Sequence, residues 1–179
     1  MVQVSTAALA ARFGKTSVLI VDDDATTRKL VKALLTGMGV NNILEAADGM
    51  VGLELVQKAA PDVVILDWQM PRLQGPNFMR IVRSPDTFPF PAVPVIMLTG
   101  HGEYSKVKEA IAVGVNEFLL KPVSSKALLD RMAAVLFNPR PMIRKRGYYG
   151  PELRSASQLL RSPAQGDADD GTHQHLVML

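Results

Sequence analysis

The chain has 179 residues, of which 47% are hydrophobic, so it is long enough for one domain with an apolar core and too short for two large ones. It contains no cysteine, which excludes disulfides, zinc–thiolate sites and thiol catalysis. The net charge is only +3, and residues 15–137 carry equal numbers of acidic and basic side chains, which gives no argument for nucleic-acid binding. The sequence has neither a long apolar run nor a secretory leader pattern, so a cytoplasmic protein without a membrane span is expected.

Five short apolar runs predict β-strands. The runs at residues 17–21, 63–66 and 95–98 are unbroken and rich in β-branched residues. Such runs are typical of strands that are buried on both faces of a parallel sheet. Residues 42–46 and 117–120 are weaker candidates of the same kind.

Helical periodicity fills the segment after each predicted strand. The apolar stripes run through Leu30, Leu34 and Met38; Leu53 and Val56; Phe78, Ile81 and Val82; Val107, Ala110 and Ile111; and Leu128, Met132 and Val135. Gly114 is predicted to end the fourth helix in the left-handed conformation, and Ser124 or Ser125 to cap the fifth. The alternation of strand and helix, repeated five times, predicts an α/β fold with a doubly wound five-stranded parallel sheet of the flavodoxin-like (βα)5 type.

Polar residues follow four of the five predicted strands. They are Asp22, Asp23 and Asp24 after the first, Asp67 after the third, Thr99 after the fourth and Lys121 after the fifth. Each of these residues taken singly is more often a turn residue or a helix cap. Ligands of open α/β sheets bind at the carboxyl ends of the strands, however, so we expect this whole set to meet at one edge.

The chemistry of such a set is coherent. Clustered carboxylates repel one another, and a hard cation such as Mg²⁺ relieves the repulsion because it prefers carboxylate oxygens. A carboxylate can also attack phosphorus to form an aspartyl-phosphate, while a metal ion and a lysine neutralise the charge on the transferred oxygens. A threonine hydroxyl can bond one of those oxygens, and Gly100 leaves room for a phosphoryl group to approach the backbone.

The motifs around these residues resemble the receiver domains of bacterial response regulators, the family that includes the chemotaxis protein CheY. The resemblance covers residues 15–137. It rests on Val-Leu-Ile-Val-Asp-Asp at 18–23, Leu-Asp-Trp-Gln-Met-Pro at 66–71, Met-Leu-Thr-Gly at 97–100, Phe-Leu-Leu-Lys-Pro at 118–122, the loop pattern at 45–49 and Gly75. It implies the CheY-like variant of the predicted fold, and a signalling switch that catalyses only its own phosphorylation and dephosphorylation.

The resemblance also implies a role for each residue. Asp67 is expected to be the phosphoacceptor, assisted by Thr99 and Lys121. The expected ligands of Mg²⁺, or of Mn²⁺ in its place, are Asp22, Asp23, Asp67 and the backbone carbonyl of Gln69. The bond between Lys121 and Pro122 is expected to be cis, as in relatives.

Other positions are expected to tune the switch. Thr99 and Phe118 stand at the family's switch positions, with plain core packing as the alternative for Phe118. Gln69 and His101 stand where relatives set the lifetime of the phosphoryl group, although His101 could equally be an ordinary loop residue. Asp24, one residue beyond the metal-binding pair, is expected to lie at the N-terminus of the first helix rather than to bind metal.

The partners follow from the same resemblance. A sensor histidine kinase or a histidine phosphotransfer protein is expected to donate the phosphoryl group, and an unidentified downstream protein to receive the signal. A homodimer through the face of the fourth helix, fifth strand and fifth helix is a further option, and no nucleic-acid partner is expected. The alternative function is a phosphate sink or phosphorelay shuttle. A haloacid dehalogenase type of hydrolase is disfavoured because Gln69 stands where that family has a second aspartate.

We expect three segments: an N-terminal extension at 1–14, the receiver domain at 15–137 and a tail at 138–179. The tail is about forty residues, too short for the usual DNA-binding output domain, so a single-domain response regulator is expected. Its basic and aromatic residues at 143–151 could dock a partner, fold back on the receiver or rest loosely on its surface. A short helix at 152–161 and disorder from residue 162 are expected after it.

Overall fold

The computed structural model describes residues 11–100 and 104–154, without the side chains of residues 104 and 105. His101, most of the helix predicted at 152–161 and the stretch beyond residue 162 therefore lie outside the described residues. Among the described residues, no helix is both long and apolar enough to cross a lipid bilayer.

The secondary structure follows the predicted alternation. The strands are β1 (Ser17–Val21), β2 (Asn42–Ala46), β3 (Val63–Asp67), β4 (Val95–Thr99), β5 (Glu117–Leu120), β6 (Met142–Lys145) and β7 (Tyr148–Pro151). The helices are α1 (Ala25–Gly37), α2 (Gly49–Ala59), α3 (Gly75–Val82), α4 (Tyr104–Ala112) and α5 (Ser125–Phe137). Ser124 caps α5 through its hydroxyl, and Gly114 adopts a φ of 81° after α4, so both predicted helix ends are confirmed.

The five-stranded sheet has the order β2-β1-β3-β4-β5, and its strand pairs are parallel. The predicted doubly wound five-stranded sheet is therefore confirmed. From β1 the chain first adds β2 on one side, and it then adds β3, β4 and β5 in turn on the other side. The strand order therefore reverses between β1 and β3. Ligands of open α/β sheets bind outside the carboxyl ends of the strands at such a reversal.

Each face of the sheet is covered by its own apolar layer. Alternate residues of a strand point to opposite faces, so Leu19 and Val21 contribute to one layer and Val18 and Ile20 to the other. The first layer includes residues of α2, α3 and α4, and the second includes residues of α1 and α5. Because β1, β3 and β4 lie between both layers, their unbroken apolar sequences are required.

The second layer also takes in Phe13, which precedes the receiver segment expected from the sequence. Phe13 is buried, and its ring meets that of Phe137 edge-on with 6.2 Å between centroids. An edge-to-face pair of this kind favours close packing of the two chain segments. Residue 13 thus packs together with the end of α5.

The residues after α5 fold back as a hairpin. Strands β6 and β7 pair antiparallel, with Arg144 opposite Tyr149, and Gly147 supplies a φ of 74° in the connecting turn. The buried Gly150 lies so close to Gly114 that an added Cβ would come within 2.8 Å of the Gly114 Cα atom. Of the options left open by the sequence for residues 143–151, the structure has the one in which they fold back on the domain.

Candidate functional site

Three carboxylates lie together where β1 and β3 end. Asp22 and Asp23 follow β1, and Asp67 is the last residue of β3. Each offers an oxygen, and these oxygens all lie within 4.8 Å of one another. Asp22 and Asp67 are buried, whereas Asp23 is exposed and faces solvent. The predicted meeting of these strand ends has therefore produced a dense acidic cluster with one open side.

Lys121 supplies the counter-charge from the end of β5. Its Nζ atom lies 2.8 Å from Asp22 Oδ2 and 2.8 Å from Asp67 Oδ1. The peptide bond from Lys121 to Pro122 is cis, as expected. The Lys121 backbone N–H also donates to the Thr99 carbonyl oxygen at 2.7 Å, so the ends of β4 and β5 are joined.

The pKa values of this group reflect burial and close charges. Burial raises the pKa of Asp67, and the neighbouring Asp22 carboxylate raises it further, against the opposing hydrogen bond from Lys121. Burial lowers the pKa of Lys121, but its contacts with Asp22 and Asp67 outweigh burial, and the net pKa is raised. Lys121 is therefore protonated at neutral pH, while Asp67 carries a destabilised negative charge.

The residues present fit a divalent cation. Three acids share one lysine, which leaves an excess of negative charge, and hard cations such as Mg²⁺ bind carboxylate oxygens. Asp22 already accepts bonds on both oxygens, from the Asp24 backbone N–H at 2.9 Å and from Lys121, although each carboxylate oxygen has further lone-pair capacity. The exposed Asp23 carboxylate is the most accessible of the three to an entering ion.

Comparison with known proteins decides the family of the chain. The family model for the response regulator receiver domain matches residues 18–133. The chain belongs to the response regulator receiver family. The sequence resemblance is thereby confirmed, and with it the CheY-like form of the fold and a place in two-component signalling.

Chemotaxis proteins are among the relatives of this receiver. CheY-3 of Vibrio cholerae is 36% identical over 115 residues, which cover 64% of this chain and 87% of that protein. CheY1 of Helicobacter pylori is 35% identical over 119 residues, covering 66% of this chain and 94% of that protein. About a third of this chain thus lies outside each match.

Solved structures agree with the sequence comparison. Vibrio cholerae CheY4 matches with a TM-score of 0.61 and 36% identity, over 68% of this chain and 98% of the CheY4 chain. A putative response regulator from Chloroflexus aurantiacus matches with a TM-score of 0.63 and 31% identity, over 68% and 97% of the two chains. The β6–β7 hairpin of this receiver begins beyond residue 133, where the family model ends.

The remaining predicted residues differ in where they lie. Thr99 is buried at the end of β4, and Phe118 is buried in the apolar layer that includes residues of α4. Gln69 lies exposed in the loop after β3, two residues past Asp67. His101 lies outside the described residues, so its predicted influence on phosphoryl lifetime stays a prediction.

Asp24 has the place expected of it. Its carboxylate accepts from the backbone N–H groups of Thr26 and Thr27, which caps α1. The bond from Thr26 is the main cause of a lowered pKa for Asp24, and the side-chain bond from Thr27 adds to it. Asp24, the third acid of the run, therefore stabilises the N-terminus of α1 as its N-cap.

Sequence reasoning missed two arginines that hold the loops of the site. Arg28 reaches back from α1 to the loop that carries the acids. Arg72, in the loop after β3, forms an ion pair with the buried Asp48, which caps α2. Arg72 has a φ of 66°, a conformation that is uncommon for a residue with a side chain. Its position directly after Pro71 was the only local hint of a special loop.

Gly75 is required because the start of α3 packs closely against the loop after β3. An added Cβ at Gly75 would lie 2.6 Å from the Asp67 carbonyl oxygen, a separation that no side chain tolerates. The Gly75 N–H also donates to the Trp68 carbonyl oxygen at 3.0 Å. The start of α3 is thus held against the backbone of Asp67 and Trp68.

Proposed function

We propose that this chain is a phosphorylation-dependent response regulator that accepts a phosphoryl group on Asp67 and signals through a protein partner. The donor is a sensor histidine kinase or a histidine phosphotransfer protein. The observation that carries the proposal is the position of Lys121 Nζ, 2.8 Å from both Asp22 and Asp67, beside a third carboxylate. A nucleophile, a counter-charge and acids suited to a cation thus share one site.

In the proposed reaction a carboxylate oxygen of Asp67 attacks the phosphorus of a phosphohistidine. The phosphorus–nitrogen bond breaks, its electron pair stays on the imidazole nitrogen, and an aspartyl-phosphate forms. Asp22, Asp23, Asp67 and the Gln69 carbonyl would hold Mg²⁺ or Mn²⁺. When bound, such an ion neutralises charge on the phosphoryl oxygens.

Lys121 and Thr99 are proposed to bond the oxygens of the phosphoryl group once it is on Asp67. Conversion of the Asp67 carboxylate into an acyl phosphate removes its own negative charge, so the Lys121 ammonium is released from that carboxylate and can bond a phosphoryl oxygen. The Thr99 hydroxyl is proposed to donate to another of these oxygens. Because the Lys121 N–H bonds the Thr99 carbonyl, the ends of β4 and β5 respond together.

The proposed output is a conformational shift of α4, β5 and α5. The phosphoryl group carries nearly two negative charges, and because the single charge of the Asp67 carboxylate is lost, the sheet edge gains about one negative charge. Phe118 lies on β5, which ends directly before Lys121, and its ring is packed in the apolar layer, so a movement of Lys121 is proposed to reach this ring through the strand. A complete change of state requires about 5.5 kcal/mol of differential interaction.

Acyl-phosphate formation tests the phosphoacceptor directly. Purified wild type, incubated with acetyl phosphate and Mg²⁺, is expected to gain the mass of one base-labile phosphoryl group. Asp67→Asn is expected to gain none, because an amide is not a competent nucleophile. Asp86→Asn is the matched control, since Asp86 is exposed and pairs with Arg144 away from the site. A labile phosphoryl group on Asp67→Asn would contradict the proposal.

A pull-down with and without beryllofluoride, a mimic of the phosphoryl group, separates signalling from a phosphate sink. A protein partner retained only with beryllofluoride supports signalling. If no such partner is found, and a phosphotransfer assay shows that the chain rapidly removes phosphoryl groups from a kinase, the sink or shuttle is supported.

Dimerisation through the α4–β5–α5 face stays a prediction. The C-terminal segment contacts the start of that face, where Arg140 bonds the Val115 and Asn116 carbonyl oxygens. Size-exclusion chromatography of the full chain with beryllofluoride measures whether two copies of the chain form a dimer.

A further inference from the structure

Arg28 connects the acidic loop to two other parts of the fold. Its Nη1 atom donates to the Asp22 carbonyl oxygen at 2.7 Å and to the Asp23 carbonyl oxygen at 3.2 Å. Its Nε atom lies 3.7 Å from the Glu45 carboxylate at the end of β2, and the side chain is only 17% exposed. One guanidinium on α1 thus holds the peptide units that carry two of the three clustered acids.

Other hydrogen bonds hold the two ends of the acidic loop, and Arg28 bonds the carbonyl between them. The Asp22 N–H donates to the Ala46 carbonyl oxygen at 3.2 Å, and the Asp24 carboxylate caps α1. Those bonds hold the two ends of the loop. Arg28 holds the carbonyl of Asp23 between them, and Asp23 has the exposed carboxylate of the cluster.

We propose that Arg28 is a positioning residue that aims the Asp23 and Asp22 carboxylates for binding of a divalent cation. The inference rests on the metal site of the proposed function. Arg28 reaches this site only through backbone carbonyls, so it touches neither the ion nor the phosphoryl group. Its planar guanidinium suits the task, because it can bond two carbonyl oxygens and a carboxylate at the same time.

Two effects of Arg28 on cation binding have opposite signs, which makes the proposal testable. A positive charge beside the site repels a divalent cation, so if charge were its whole influence, removal of Arg28 would tighten binding. If Arg28 orients the ligands, its removal weakens binding. Loss of a residue that orients metal ligands typically costs roughly 10- to 100-fold in affinity.

Lys32 is the matched control for Arg28. It lies one turn further along α1 and bonds the same Glu45 carboxylate at 2.7 Å. Its side chain is 49% exposed, and its described partner is Glu45. Lys32→Ala thus removes a positive charge and a partner of Glu45 while the bonds from Arg28 to the acidic loop remain.

The experiment measures Mg²⁺ affinity on the full-length chain for wild type and for the variants Arg28→Ala, Arg28→Gln, Arg28→Lys and Lys32→Ala. Titration calorimetry gives the Kd, and the fluorescence of Trp68, the single tryptophan of the chain and the neighbour of Asp67, follows the same site. Thermal unfolding in EDTA reports separately on the fold. If Arg28→Ala does not fold, Arg28→Gln and Arg28→Lys carry the comparison.

We expect the Mg²⁺ Kd of Arg28→Ala and Arg28→Gln to rise roughly 10- to 100-fold. Arg28→Lys keeps the charge and a point donor, so it should recover part of the affinity, and Lys32→Ala should stay near wild type. Arg28→Ala binding Mg²⁺ as tightly as wild type, or more tightly, would overturn the role of Arg28 alone. A wild type that binds no Mg²⁺ would overturn both this inference and the metal site of the proposed function.

Discussion

Charged side chains are buried at both edges of the five-stranded sheet, but they are bonded in different ways. At the carboxyl edge, the buried Asp22 and Asp67 share the amine of Lys121, and Asp23 lies within reach of both. Among the described residues, three carboxylates share one amine there. The bonding at this edge leaves oxygens that can still accept a cation.

At the amino edge, the buried Arg83 has partners of fixed position. It donates to the Gly114 carbonyl oxygen at 2.9 Å, the Pro91 carbonyl oxygen at 2.6 Å and Asn116 Oδ1 at 2.8 Å. Burial lowers the pKa of Arg83 to about 10, so it remains charged at neutral pH. Two backbone carbonyl oxygens and the Asn116 side-chain oxygen accept these bonds, so each nitrogen of the guanidinium has an acceptor within the fold.

The Glu117 carboxylate belongs to the same edge. Its Oε1 atom lies 3.2 Å from Arg154 Nη1, and its Oε2 atom lies 3.5 Å from Arg131 Nη1. Two arginines thus surround one acid. The difference between the edges indicates that burial of charge does not by itself mark a functional site. At the carboxyl edge the excess charge is carried by carboxylate oxygens that can still accept a cation, whereas the nitrogens of Arg83 at the amino edge already have acceptors.

The largest effect is expected from Arg83→Met at the amino edge. The substitution keeps most of the apolar volume but removes the Arg83 donor from two carbonyl oxygens and from Asn116 Oδ1, which keeps only its bond from the Val95 N–H. The free energy of unfolding should therefore fall by about 3–5 kcal/mol. Urea denaturation in EDTA measures it. The control is Arg80→Met, one turn earlier on α3 and exposed, with an expected cost below about 1 kcal/mol. Equal costs for the two variants would erase the contrast between the edges.

Lys121→Met should impair the chemistry at the carboxyl edge. Loss of the ammonium removes the charge that would stabilise the transferred oxygens, so acyl-phosphate formation with acetyl phosphate should slow roughly 10²- to 10³-fold. Quantitative mass spectrometry over time gives the rate. Lys126→Met serves as the control, because Lys126 is exposed and pairs with Asp130 on the surface of α5. A Lys121→Met rate near that of wild type would mean that Lys121 has no part in phosphoryl transfer.

Arg140→Ala should release the hairpin with little effect on the acidic cluster. Arg140 bonds the Asn116 and Glu152 carbonyl oxygens, and its loss should reduce the free energy of unfolding by about 1–3 kcal/mol. Hydrogen exchange of residues 142–151 should accelerate, whereas the Mg²⁺ affinity should stay unchanged. Arg146→Ala, in the exposed turn of the hairpin, is the control. Unchanged exchange in Arg140→Ala would show that other contacts hold the hairpin.

Asp67→Asn should stabilise the metal-free protein, by on the order of 1 kcal/mol at neutral pH. The pKa of Asp67 is raised in the folded state, so folding favours its protonated form, and the charged form costs stability at pH values above the folded-state pKa. The gain of Asp67→Asn should fade as the pH falls through that pKa, since wild type then becomes neutral too. Thermal unfolding against pH in EDTA tests this, and a destabilised Asp67→Asn at neutral pH would contradict it.

The sequence by itself determined most of the sheet and the membership of the acidic cluster. Strands β1, β3 and β4 are buried on both faces, so nearly all of their residues must be apolar. Unbroken apolar runs of this kind can be recognised from the sequence alone. The carboxyl ends of parallel strands meet at one edge. Asp22, Asp67 and Lys121, each following an apolar run, could therefore be assigned to one site before any distance was known.

Only the tertiary structure decided how the loops are held and where the tail lies. Arg28 and Arg72 bond partners across loops, and no local pattern of residues specifies those partners. The tail packs on the receiver through three contacts between distant residues. Gly150 packs on Gly114, Arg140 bonds the Asn116 carbonyl oxygen and Arg154 bonds the Glu117 carboxylate. Local periodicity determines which residues form a strand or helix, but contacts between distant segments depend on the shape that the folded chain creates, and that shape exists only after the sheet has formed.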